Sequence, residues 1–193
     1  MRDSVKDRQS GFSLIEILVV VMVVGIAMGG VSVFFTTGGP EEEMKKAVGK
    51  FAIYSAYASQ LAVLSGEPMG LMLEPPEWRE NPLDEGWRYR WQKMTLEGWV
   101  DDMQLESIEL PKAMELSILI DDHEWAWENA PEIREPIIAF YPSGDITPFS
   151  IEFRHEELDG NTQTVNVDVW GEVVWKEQAE LAKEREEERE RYR

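Results

Sequence analysis

At 193 residues the chain has room for one globular domain of ordinary size plus a membrane segment, and length alone argues against two large domains. With 38 acidic against 19 basic residues and a formal charge of −19, it has no electrostatic reason to approach phosphate backbones or anionic lipid, which sets nucleic acid aside as a partner. Eight Trp, seven Phe and five Tyr argue against wholesale disorder; the lack of cysteine excludes disulfides, thiolate metal sites and a cysteine nucleophile, and leaves the redox compartment undecided.

Residues 12–35 form an apolar run long enough, as a helix, to cross a hydrocarbon core of roughly 30 Å. Arg2, Lys6 and Arg8 precede it and Glu41, Glu42 and Glu43 follow it, so the basic bias puts the N-terminus in the cytoplasm and the bulk of the chain outside. An ordinary secretory signal is cut after its apolar run, whereas here a Gly11-Phe12 junction stands in front of it. Cleavage there removes the charged leader, keeps the anchor and leaves a free amine at Phe12. Glu16 is the one ionisable residue within the run, and an unpaired carboxylate costs about 2.5–3.5 kcal/mol at mid-membrane on insertion scales. It needs a partner, an interfacial position that lets it reach water, or a proton.

The string Gly11-Phe12-Ser13-Leu14-Ile15-Glu16 followed by an apolar run resembles the cleavage and methylation motif of type IV pilins and type II secretion pseudopilins. That resemblance implies a membrane peptidase cutting after Gly11, N-methylation of Phe12, and pairing of Glu16 with the N-terminal amine of a neighbouring subunit during assembly. Physical chemistry agrees, since two buried opposite charges relieve each other's desolvation, and removing one strands the other.

Farther along, Pro40 at a first helical position, with acids in the following turn, predicts a second helix. Met44, Val48, Phe51, Tyr54 or Ser55, Ala58 and Leu61 give it one apolar stripe to about residue 65, suited to lying against a sheet. Gly38-Gly39 permits either one kinked helix through the anchor or two. From residue 66 the pattern changes to short runs broken by turn residues, with strands expected at 69–73, 87–92, 116–120, 137–141, 149–153 and 164–170. Runs 149–153 and 165–169 alternate apolar with polar, the mark of a sheet covered on one face. Pro142-Ser143-Gly144-Asp145 and Asp159-Gly160-Asn161 supply turns. The fold class expected is α+β, a helix against an antiparallel β-rich head.

Within the head, Gly86-Trp87-Arg88-Tyr89-Arg90-Trp91 and the stretch 137–149 ending Thr147-Pro148-Phe149 resemble the minor pseudopilin H class of type II secretion. The resemblance runs over residues 11–175 and is weakest over 96–131. It implies a type IV pilin-like fold with a two-sheet sandwich head, held by the inner membrane with the head periplasmic. It further implies assembly into, or at the tip of, a periplasmic pseudopilus that drives folded proteins across the outer membrane. The partners implied are the major pseudopilin, the minor pseudopilins I, J and K, the prepilin peptidase and the lipid of the inner membrane. Minor pilins of type IV pili are the rival reading, and a signal-anchored periplasmic binding protein or enzyme a third. The organisation expected is a leader at 1–11, a transmembrane helix at 12–35, a linker and amphipathic helix at 36–65, the head at 66–175 and a charged extension at 176–193. That extension departs from the family pattern and is read as a solvated helix or frayed tail.

Residues for catalysis are not visible. His123 and His155, the only histidines, lack zinc-motif spacing; Asp101-Asp102 and Asp121-Asp122 lack the spacing of a calcium loop; Ser143-Gly144 lacks a nucleophile elbow. No cofactor, metal, small-molecule substrate or enzymatic activity is expected. Alternation puts Trp87, Tyr89 and Trp91 on one strand face, in the core, while Trp125 and Trp127 are expected in a loop.

Overall fold

A computed structural model of the chain describes residues 38–76, 86–127 and 135–192. Residues 39–193 form a compact unit of their own. Helix α1 spans Pro40–Ser65, with Pro40 in the position where a missing N–H costs nothing and Glu41, Glu42 and Glu43 beside the positive end of the helix dipole. It ends where Gly66 takes a left-handed φ of 73° and donates its N–H to the Ala62 carbonyl at 3.0 Å.

Ten strands follow among the described residues, all paired antiparallel. They are β1 (Met69–Glu74), β2 (Arg88–Thr95), β3 (Gly98–Asp101), β4 (Ile108–Glu109), β5 (Met114–Ile120), β6 (His123–Trp125), β7 (Ile138–Phe140), β8 (Phe149–His155), β9 (Gln163–Val167) and β10 (Val173–Trp175). One sheet runs β3-β2-β1-β7, with β4 also on β2; the other runs β10-β9-β8-β5-β6. Helix α2, Lys176–Arg191, closes the order and buries none of its residues. The two-sheet head and its helix are the architecture that the sequence leads one to expect.

The core lies where α1 meets both sheets, packing against β1 and β7 of the first and β8, β9 and β10 of the second. Met44, Val48, Phe51, Ser55, Ala58 and Ala62 are its buried residues. The stripe therefore runs through Ser55 and Ala62, with Tyr54 and Leu61 left half-buried at its margins. Small side chains win in the C-terminal half because they let the helix backbone come close to the sheets. From the sheets, Leu71, Leu73, Tyr89, Trp91, Phe140, Ile151, Phe153 and Val165 complete the core. Phe51 joins the layers, its ring 5.2 Å from that of Tyr89 and 5.3 Å from that of Phe153. Burial of each such ring contributes about 1.5–3 kcal/mol.

The strand β1 is buried on both faces. Its outer face is covered at Gly70, where an added Cβ would come within 2.8 Å of the Trp99 ring and closer still to Pro136. Only glycine fits that approach.

Two segments differ from the sequence expectation. Trp125 lies on a strand and not in a loop, because Asp121 (φ 50°) and Asp122 (φ 62°) both adopt the left-handed conformation of a two-residue hairpin turn joining Ile120 to His123. The run expected over 164–170 stops as a strand at Val167, because Asp168 closes a turn and leaves Trp170 in solvent.

Candidate functional site

Gly11, Phe12 and Glu16, the residues that the sequence singles out for processing and assembly, lie outside the described residues, as does the apolar run 12–35. Among the described residues no helix is long and apolar enough to cross a membrane. Function has therefore to be read, on the structural side, from the start of α1 and the surfaces of the head.

The first turns of α1 are organised by charge. Lys45 reaches back to Glu41 at 2.6 Å and Lys46 to Glu42 at 2.7 Å, both at four-residue spacing. The Lys45 hydrogen bond, and then its charge, hold the exposed Glu41 carboxyl below its ordinary range. Glu43, itself exposed, has its Oε2 3.5 Å from Nε2 of the buried His155 at the end of β8. Because His155 Nδ1 accepts the N–H of Glu157 at 3.2 Å, the neutral ring carries its proton on Nε2, facing Glu43. His155 is thus a buried side chain at the end of β8 that lies beside the helix start, its Nε2 without a hydrogen bond among the described residues.

Beside this contact lies a groove of about 250 Å³ between α1 and β4, lined by Ala47, Lys50, Ile108, Leu110 and Pro111, with Tyr89 beneath. Tyr89 is fully buried, and its hydroxyl has no hydrogen-bond partner among the described residues. Burial, with a smaller contribution from Tyr54, pushes its phenol well above the ordinary value of 10.0.

The outer face of the first sheet carries a charge network that sequence reasoning missed. Glu74 on β1, 8 % exposed, accepts hydrogen bonds from Arg88 at 2.6 Å and Arg90 at 3.0 Å on β2. Arg90 also pairs with Asp101 on β3, while its Nη2 lies 3.0 Å from Met72 Sδ, and Gln92 donates to Asp101 at 2.9 Å. The register placing Arg88 opposite Glu74 and Arg90 opposite Met72 assembles it. Alternating arginines in β2 were its only sequence signal.

The residues weighed for chemistry do not converge. His155 pairs with Met114 and His123 with Ile120, at opposite ends of β5, roughly 20 Å apart at the rise of a strand. Asp102 caps its own turn, accepting from Gln104 at 2.8 Å and Leu105 at 3.1 Å. Asp121 and Asp122 form the hairpin turn already described, and the Ser143 hydroxyl donates to Asp145 at 2.8 Å within another turn. Among the described residues no group of three or more His, Asp or Glu side chains could hold a metal ion. Tyr89 and Trp91 lie in the core; Trp87 is half-buried, its ring 6.2 Å from that of Trp125, which lies 6.5 Å from that of Trp127.

The prokaryotic N-terminal methylation motif matches residues 6–32, the segment that holds Gly11, Phe12 and Glu16. Along nearly its whole length the chain is also similar to the type II secretion system protein H of Aeromonas hydrophila, 26 % identical over 185 residues that cover 87 % of this chain and 93 % of that one. It thus carries the methylation motif and is similar, beyond that motif, to secretion proteins H. The chain is likewise 25 % identical over 186 residues to the type II secretion system protein H of Dickeya chrysanthemi, covering 90 % of this chain and 98 % of the relative. Its head shares its fold with the minor pseudopilin EpsH from the type II secretion system of Vibrio cholerae, with a TM-score of 0.54 at 20 % identity over 69 % of this chain and 93 % of that one.

Proposed function

We propose that the chain is a minor subunit of a type II secretion pseudopilus, built into or at the tip of a periplasmic filament that drives folded proteins across the outer membrane. The observation that carries this is a methylation motif over 6–32 joined to a head similar to secretion proteins H. Those relatives favour secretion over a type IV pilus. In this reading residues 1–11 are the leader, cut between Gly11 and Phe12, and residues 12–35 anchor the chain in the inner membrane with the head in the periplasm. The new amine at Phe12 is methylated. Glu16 meets the amine of a neighbouring pseudopilin, major or minor, because each charge loses its desolvation penalty only on meeting the other. The chain carries out no reaction of its own; the chemistry is done on it, by the prepilin peptidase.

Mass spectrometry of the chain from cells carrying that peptidase is expected to find an N-terminus at methylated Phe12. An intact Met1 there contradicts the reading. Glu16→Ala is expected to insert into the membrane normally and to lose most of its incorporation into filaments, measured by co-purification with the major subunit; unchanged incorporation removes the charge-pairing role.

A further inference from the structure

The turn between β9 and β10 is built as a rigid knob. Asp168 Oδ1 accepts the N–H groups of Trp170 and Glu172, both at 2.9 Å, the Asp168 N–H donates to the Glu172 carbonyl at 2.9 Å, and Gly171 donates to the Asp168 carbonyl at 3.1 Å. Gly171 supplies the positive φ, 78°, that closes it. What the turn displays is apolar: Val169 is 93 % and Trp170 84 % exposed. Nothing in the geometry of a tight turn asks for a tryptophan at its tip, and a large aromatic held rigidly in water is the side chain that dominates protein interfaces when a pocket covers it.

Next to the knob lies a depression of about 150 Å³ formed by Leu119, Pro148, Phe149 and Val167, with Asp122 on its rim. The two make one surface, since Val167 borders the depression and leads directly into the turn. It sits at the start of β8, whereas the Glu43–His155 contact that marks the beginning of α1 is at the end of β8. The surface is therefore at the end of the second sheet remote from the beginning of α1. Its charge has one sign. Segments 119–124, 147–152 and 166–172 contain Asp121, Asp122, Glu124, Glu152, Asp168 and Glu172 and neither lysine nor arginine.

We propose that this end of the head is the docking surface for a different subunit of the same filament, one that offers an apolar pocket to Trp170 and lysine or arginine to the acidic rim. The proposal rests on the pseudopilin reading. A second copy of this chain does not fit, because self-association through the patch opposes carboxylates to their own copies; anionic lipid fails for the same reason. A basic-rimmed protein pocket satisfies both halves of the surface, the apolar knob by burial and the rim by charge.

The test uses the full-length chain in detergent, titrated calorimetrically against the purified heads of the other pilin-like subunits of the same secretion system, each separately, at low and high salt. One head is expected to bind, more weakly at high salt. Trp170→Ser is expected to weaken that binding at least about tenfold. Glu172→Lys, whose side chain is exposed and whose backbone bonds are kept, is expected to weaken it and flatten its salt dependence. Leu96→Ser, at a fully exposed position on the β2–β3 turn, serves as control and leaves affinity unchanged. Near-ultraviolet circular dichroism confirms that each variant stays folded. Binding that ignores both Trp170→Ser and Glu172→Lys overturns the docking surface and leaves the pseudopilin reading standing; no binding to any of the heads counts against that reading and removes the proposal with it. Self-association, or binding to phosphatidylcholine vesicles, that disappears in Trp170→Ser assigns the knob to another occupant and also overturns the proposal.

Discussion

Phe51 of α1 stands edge-on to Tyr89 of β2, with ring centroids 5.2 Å apart and planes at 85°. The same ring touches Phe153 of β8, so one helical side chain is in contact with both sheets. Phe51→Ala is expected to cost about 3–5 kcal/mol, the range for emptying an aromatic site in a packed core. Phe51→Leu should cost less than half of that. Denaturant unfolding followed by tryptophan fluorescence measures both, and a loss below about 1 kcal/mol for the alanine variant contradicts the bridging role.

The Glu74 carboxylate holds two guanidinium groups on the outer face of the first sheet. Glu74→Ala leaves Arg88 and Arg90 crowded and partly desolvated, and is expected to cost about 2–4 kcal/mol, somewhat under the range for a fully buried pair because both arginines keep some solvent contact. A double-mutant cycle of Glu74→Ala with Arg90→Ala should give a coupling of at least about 1 kcal/mol. Additive effects within error would show that the network contributes no pairwise stability.

Tyr89 makes stability depend on alkaline pH. Its phenol is raised in the folded head, mainly by burial, so above the ordinary value of 10.0 the unfolded chain loses a proton that the folded chain keeps. Stability from this group is complete below that pH and falls as pH rises beyond it, by up to about 1.4 kcal/mol per unit. Tyr89→Phe should remove this dependence and, since the hydroxyl has no partner to lose, change stability at neutral pH by less than about 1 kcal/mol. Parallel alkaline limbs for the two proteins would rule the mechanism out.

Much of the head was legible because its longer elements have strong periodicity. Met44, Val48, Phe51 and Ala58 announce the helix face, and the alternation over 149–153 announces β8 with its inward Phe149, Ile151 and Phe153. The choice of Ser55 over Tyr54, and of Ala62 over Leu61, was not legible. Those pairs sit at the margin of the stripe, and the close approach of two sheets decides between them. Strands of two to four residues such as β3, β4 and β10 are too short for alternation to register. Asp121-Asp122, set aside as oxygen ligands for want of a calcium loop's spacing, form the left-handed turn that makes β6 possible, a conformation that Asp tolerates without dictating it. Glu74 finds Arg88 and Arg90 only through strand register, 14 and 16 residues away. For the proposed processing and assembly the balance is reversed: Gly11, Phe12 and Glu16 lie outside the described residues, and what speaks for them is the sequence, within the stretch that matches the methylation motif.

The way α1 is seated also has a mechanical meaning. Its buried residues are spread from Met44 to Ala62, about 27 Å at the rise of a helix, and they grip both sheets along that length. A pull entering at Pro40 and directed along the axis loads all of these contacts together, in shear, and no single strand edge can be peeled away first. The sheets are thus bound to α1 as to a splint, along most of its length, so axial force on the helix is shared among many contacts.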